Sequence, residues 1–145
     1  MPPAVLTDDP LDRAMPPASD RQPRGHVTTL PPSPDSATTA RHLVRRLLPV
    51  GTADEQRATA ELLTTELVTN AVVHACTPCR LRVSYPRAGI LRVEVSDAVA
   101  ATPALQSAEP TAPNGRGLQL VAALAADWGT APASAGKTVW FETAL

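Results

Sequence analysis

The order of apolar patterns along the chain predicts an α+β fold. It is expected to be a two-layer sandwich with three helices on one face of a mostly antiparallel mixed sheet. Three observations predict it. Three segments carry apolar residues at helical spacing, two neighbouring segments alternate with period two, and a strand-like run stands before and after that set. The resulting order is strand, two helices, hairpin, long loop, helix, then a closing strand or hairpin.

Residues 1–24 hold six prolines, scattered acids and no sustained apolar period, and are read as a disordered tail. "HVTTL" (His26–Leu30) is a short strand, an edge one given the prolines that follow. In "SPDSATTARHLVRRLLPVG", Ser33 can N-cap a helix, Pro34 suits its first helical position and Asp35 favours its positive end. Ala40, Leu43, Val44, Leu47 and Leu48 form its inner stripe, and Pro49 with Gly51 stops it. "TADE" at Thr52–Glu55 has capping-box spacing and opens a second helix that runs to about Ala75.

"LRVSY" (Leu81–Tyr85) and "ILRVEVSD" (Ile90–Asp97) alternate around "PRAG", which signals a hairpin. Residues 98–114 are small, broken by proline and without period, and a loop this long in a compact domain is usually functional or mobile. "GRGLQLVAALAADWG" gives a third helix, with Leu118, Val121, Ala122 and Ala125 inward and Gly129 as its stop. "TVWFET" (Thr138–Thr143) is the last strand. Residues 25–145 therefore form one domain, a size that suits a real core.

Composition narrows the function. A net charge of −1 with mixed signs offers no polyanion-binding surface. One Tyr, one Phe and two Trp argue against a base-stacking platform for single strands. No apolar run reaches the roughly 20 residues of a membrane span, and the amino terminus lacks the features of a signal peptide. The expectation is a soluble, cytoplasmic protein. Cys76 and Cys79 form a C-x-x-C, but no further C-x-x-C or H-x-x-x-H completes a zinc site. A thioredoxin-like pair should lead into a helix, whereas this one follows a helix, so two ordinary small residues at a helix exit are expected.

"ELVTNAVVHA" (Glu66–Ala75) poses the chemical question. On a helix, Glu66, Asn70 and His74 fall within an arc of roughly 80° on a mostly apolar surface. Burying them unpartnered would cost about 1–3 kcal/mol each, so something must meet them. An Asn carbonyl is a hard oxygen ligand suited to Mg²⁺. A carboxylate one turn away can take a proton from an attacking hydroxyl or water. Asp97 ends a strand facing a loop and can accept from an amino group such as that of adenine. "NGRGL" puts glycines ahead of a helix, where backbone N–H groups cradle phosphates. Together these describe a pocket for Mg-ATP. His74, near a helix C-terminus, reads as structural.

On these motifs the chain resembles the histidine-kinase-like (GHKL) ATPase superfamily, and within it the anti-sigma-factor serine/threonine kinases and their stand-alone actinobacterial relatives. "ELVTNAVVHA" resembles the N box, which implies Glu66 as catalytic base and Asn70 as magnesium ligand. "VEVSDAVA" resembles the first glycine-box strand, implying Asp97 on the adenine amino group. "GRGLQLVAALAADWG" resembles the second glycine box, implying Gly115, Arg116, Gly117 and Leu118 around the phosphates. "GKTVWFE" resembles the closing strand, implying Thr138 near the adenine, and residues 98–114 correspond to the ATP lid. Val99 stands where that pattern has glycine, and a β-branched residue does not allow the same backbone approach.

The resemblance implies an ATP-binding regulator that transfers the γ-phosphate to a Ser or Thr of an antagonist protein and holds a sigma-factor-like partner. Arg41 matches a partner-contacting Arg by position, and relatives often form homodimers. The alternative is a nucleotide-dependent binding module without phosphotransfer, and a third reading is an interaction domain that has lost nucleotide. The absence of a phospho-acceptor hairpin before the domain disfavours a sensor histidine kinase.

Overall fold

The computed structural model describes residues 25–98, 113–133 and 136–145. The proline-rich segment 1–24 and most of the 98–114 loop, Val99 included, lie outside the described residues. Among those described, three helices and five strands follow the order β1 (His26–Leu30), α1 (Asp35–Leu47), α2 (Asp54–Ala75), β2 (Cys79–Arg87), β3 (Ile90–Asp97), α3 (Pro113–Leu124), β4 (Asp127–Ala133) and β5 (Gly136–Ala144). The strands form one sheet in the order β1-β2-β3-β5-β4 with every ladder antiparallel. The result is the α+β architecture that the patterning predicts.

Strand alternation decides which face carries the core. Leu81 and Val83 of β2, Leu91, Val93 and Val95 of β3, and Val139 and Phe141 of β5 turn to one side. There they meet Leu63, Leu67, Val68 and Ala71 of α2, with Leu43 and Val44 of α1 and Leu118 and Val121 of α3. The long helix α2 packs on β2, β3 and β5 and is flanked by α1 and α3. Two polar ties fix α1. Arg45 grips the Glu61 carboxylate of α2 with two bonds of 2.9 and 2.8 Å, and Tyr85 Oη donates to the Leu47 carbonyl at 2.7 Å.

The opposite face of the sheet is charged, and its ions answer one another. Arg92 stacks on the Trp140 ring at 4.0 Å and donates to Glu142 at 2.9 Å, while Arg87 reaches the same Glu142. Glu94 lies buried between Arg92 and Arg82, at 3.5 and 4.0 Å. Burial raises its pKa, and the two guanidinium groups oppose that rise.

Several local expectations need correction. The capping box at Thr52 does not form: its hydroxyl donates to the Pro49 carbonyl at 2.7 Å, and α2 starts at Asp54 without a side-chain cap. Ser33 is not the cap of α1 either: Pro34 holds that position without a side-chain cap bond, although the Ser33 hydroxyl accepts from the Asp35 N–H at 3.3 Å. The third helix stops at Leu124 rather than Gly129, and Asp127–Ala133 becomes a strand. The Ala126 N–H donates to the Glu142 carbonyl at 2.8 Å, so pairing with β5 overrides the helix propensity of the alanines. β2 also runs further than Leu81–Tyr85, with a register irregularity between Ser84 and Arg87 that accommodates Pro86.

Candidate functional site

The residues that the sequence singles out come from α2, the end of β3, the start of α3 and the start of β5. Their placement follows from pleat and helix period. Asp97 is the last residue of β3 and pairs in register with Lys137 of β5, so both side chains leave the sheet on its helical side. There Lys137 Nζ donates to Asp97 Oδ2 at 2.8 Å, with side chains only 5% and 3% exposed. The strands close tightly at this point. A Cβ at Gly136 would meet the Asp97 carbonyl oxygen and come within 2.7 Å of Ala98 Cα, so only glycine fits.

One position beyond the Arg80–Ser96 pair, Cys79 enters the same row beside Asp97. Burial, and then the Asp97 charge, push its thiol up to about 11. It is a buried neutral group rather than a nucleophile. Cys76 is exposed and ends α2 in the left-handed region at φ 53°. Both are free thiols, one closing the helix and one filling the core.

The helix stripe separates by depth. Asn70 is 4% exposed, and its Oδ1 is buried without a hydrogen-bond partner among the described residues. Glu66, one turn earlier, lies half-buried at the edge, and burial raises its pKa above the ordinary carboxylate value. His74 is exposed at the helix end. The stripe is therefore not one surface: it runs from a carboxylate at the rim through an unmet carbonyl to a solvated imidazole.

On α3, Gly115 and Arg116 fall within the first turn of the helix and Gly117 follows, with Pro113 leading. The first four residues of a helix have no carbonyl within it to receive their N–H groups, so this end can meet an anion. Leu118 turns into the core at 2% exposed and anchors the helix rather than lining a pocket with its side chain. Thr138 lies on the other side of β5 from Lys137. Its hydroxyl bonds to that of Ser96 at 2.7 Å on the charged face of the sheet, so it does not join Asp97. The side chain that does is Lys137, which the sequence reading passed over. Counting two-residue alternation back from Phe141 identifies it, because Val139 and Lys137 must share the side of that core residue.

The residues fit a magnesium nucleotide on one structural ground, the unmet Asn70 oxygen. No group of three or more His, Cys, Asp or Glu side chains that could hold a metal occurs among the described residues. A single protein ligand nevertheless suits Mg²⁺, which keeps several waters and takes its remaining ligands from substrate phosphates. Among the described residues no helix is long and apolar enough to cross a membrane. Arg41 is half-buried on α1, with its Nε making no hydrogen bond among the described residues, one turn before the Arg45–Glu61 clamp.

A family model described as the histidine kinase-like ATPase domain matches residues 30–143, from the last residue of β1 to the end of β5. No curated protein matches the chain.

Proposed function

Because the chain belongs to the histidine kinase-like ATPase domain family, we propose that it is an ATP-binding regulator of the anti-sigma-factor serine/threonine kinase type. It transfers the γ-phosphate of ATP to a Ser or Thr of an antagonist protein and holds a sigma-factor-like partner, with Arg41 as a contact. The observation that carries nucleotide binding is the buried Asn70 Oδ1, which has no partner among the described residues. Leaving such an oxygen unmet costs about 1–3 kcal/mol, a cost offset when a hard cation takes it.

Asn70 would hold Mg²⁺, which when bound neutralises phosphate charge. Asp97 orients the adenine by accepting from its amino group. The first-turn N–H groups of α3, at Gly115 to Gly117, bind phosphate oxygens, and the helix dipole favours their charge. Glu66 takes the proton of the target hydroxyl. Its rim position lets a protein substrate reach it, and a pKa raised by burial makes it a better base than a free carboxylate. In phosphoryl transfer the protein mainly positions groups and neutralises charge, which is what this set supplies.

A thermal shift with Mg-ATP, Mg-ADP and ATP in EDTA tests this reading. Mg-ATP at about 100 times Kd should add about 2.7 kcal/mol of stability, and EDTA should remove most of it. No ATP-dependent shift would sink the reading. The second reading, a binding module that senses nucleotide without transferring phosphate, is favoured by Val99. A nucleotide-dependent shift without phosphate release or transfer would select it.

A further inference from the structure

The Asp97–Lys137 pair is more than a closed ion pair. Both side chains are more than nine-tenths buried, both leave the sheet on its helical side, and their polar atoms lie 2.8 Å apart. A carboxylate only accepts, and an ammonium only donates. Side by side, they present an acceptor next to a donor at fixed spacing. Of the ammonium's three N–H bonds, the one to Asp97 uses a single donor. The backbone cannot drift at this point, because Gly136 sits against the Asp97 carbonyl. The two groups are thus held as a rigid reading edge.

We infer that Lys137 is a specificity-determining residue of the nucleotide site, donating to the adenine ring nitrogen beside the amino group that Asp97 accepts. This rests on the proposal that the site binds ATP through Asp97. An amino group next to a ring nitrogen offers a donor beside an acceptor, the complement of the pair. Guanine offers the reverse order, a carbonyl oxygen beside a ring N–H. In the same pose Asp97 would face an acceptor on either edge, and Lys137 would also face a donor where the ring nitrogen it reads is the one that carries hydrogen in guanine, which leaves buried polar groups unpaired. The pair therefore selects adenine over guanine without contacting any other part of the base. Thr138 has no part in this, since it lies on the other face of the sheet with Ser96.

The test is binding of ATP, GTP, 1-deaza-ATP and 7-deaza-ATP to the full chain with magnesium, by calorimetry. Each deaza compound replaces one of the ring nitrogens flanking the amino group by carbon. The wild-type protein should lose about 10–100-fold in affinity with one of the two, the value of a hydrogen bond from a charged donor. Which compound loses tells which edge Lys137 reads. In Lys137→Met that loss should disappear, with ATP and the deaza compound binding equally, while GTP stays excluded by Asp97. Lys137→Gln keeps a donor and should retain part of the discrimination, which guards against the Met variant failing to fold. Equal binding of ATP and both deaza compounds by the wild type would overturn the inference, as would discrimination that survives in Lys137→Met. Failure of the wild type to bind ATP at all would instead remove the nucleotide reading, and this inference with it.

Discussion

Replacing Asn70 by leucine should make the protein more stable and take away its response to magnesium nucleotide. Leucine has the same branching and the same number of side-chain heavy atoms as asparagine. No hydrogen bond of Oδ1 is lost, because it makes none among the described residues. At 4% exposed, the side chain is buried. The unmet carbonyl costs about 1–3 kcal/mol in the native state, and an apolar group of the same shape does not carry that cost. Allowing about 1 kcal/mol for imperfect fit, the expected gain is about 1–2 kcal/mol. For a domain of this size that corresponds to roughly 4–8 °C in Tm. The assay is urea unfolding in EDTA without nucleotide, comparing midpoints at equal slope. The same two proteins then go through the Mg-ATP thermal shift, where only wild type should respond. A loss of more than 1 kcal/mol in Asn70→Leu at unchanged slope would refute the reasoning, since it would mean that the oxygen is satisfied in solution.

Three further outcomes are expected. Glu66→Gln should bind Mg-ATP normally while phosphoryl transfer falls about 10²–10⁴-fold, and normal transfer would take the base assignment from Glu66. The Arg45 bond and charge lower the Glu61 pKa, so this pair stabilises the fold above the ordinary glutamate range and is lost as pH falls through the depressed value. Arg45→Met should therefore be less stable at neutral pH and show a flatter acid limb in a pH–stability series; an unchanged limb would contradict the clamp. Gly136→Ala should destabilise by about 1–3 kcal/mol, because its new methyl meets the Asp97 carbonyl and Ala98 Cα rather than a side chain that can yield. Wild-type stability by urea unfolding would show that the strands part more easily than the register indicates.

The parts of the fold that local physics determines were legible. β1 and β3 occupy the spans read from alternation, His26–Leu30 and Ile90–Asp97, because flanking prolines and glycine leave little freedom at their ends. The helix α2 was legible from its apolar spacing and its end at Ala75, though not from the Thr52 capping box, which does not form. What could not be read is what depends on distant pairing. The strand at Asp127–Ala133 exists because β5 lies beside it, while its preceding alanines alone favour helix. Lys137 rather than Thr138 faces Asp97, which alternation back from the core residue Phe141 already indicates, while its partner across the ladder comes only from the register against β3. The Arg45–Glu61 clamp joins two helices whose relative rotation no local pattern encodes.

The strand order has a dynamic consequence. β5 sits between β3 and β4, and it is the neighbour through which β4 joins the sheet. A fluctuation that lifts β5 separates Lys137 from Asp97, breaks a buried ion pair and releases β4 in the same event. These losses cannot be incurred one at a time, so the reading edge and the far strand open as a single cooperative unit. Amide exchange of β4 and β5 should then share one opening free energy. A ligand held by Asp97 and Lys137 should slow exchange as far away as Trp128, which it never touches. The base-facing edge is in this sense the latch of one whole side of the sheet.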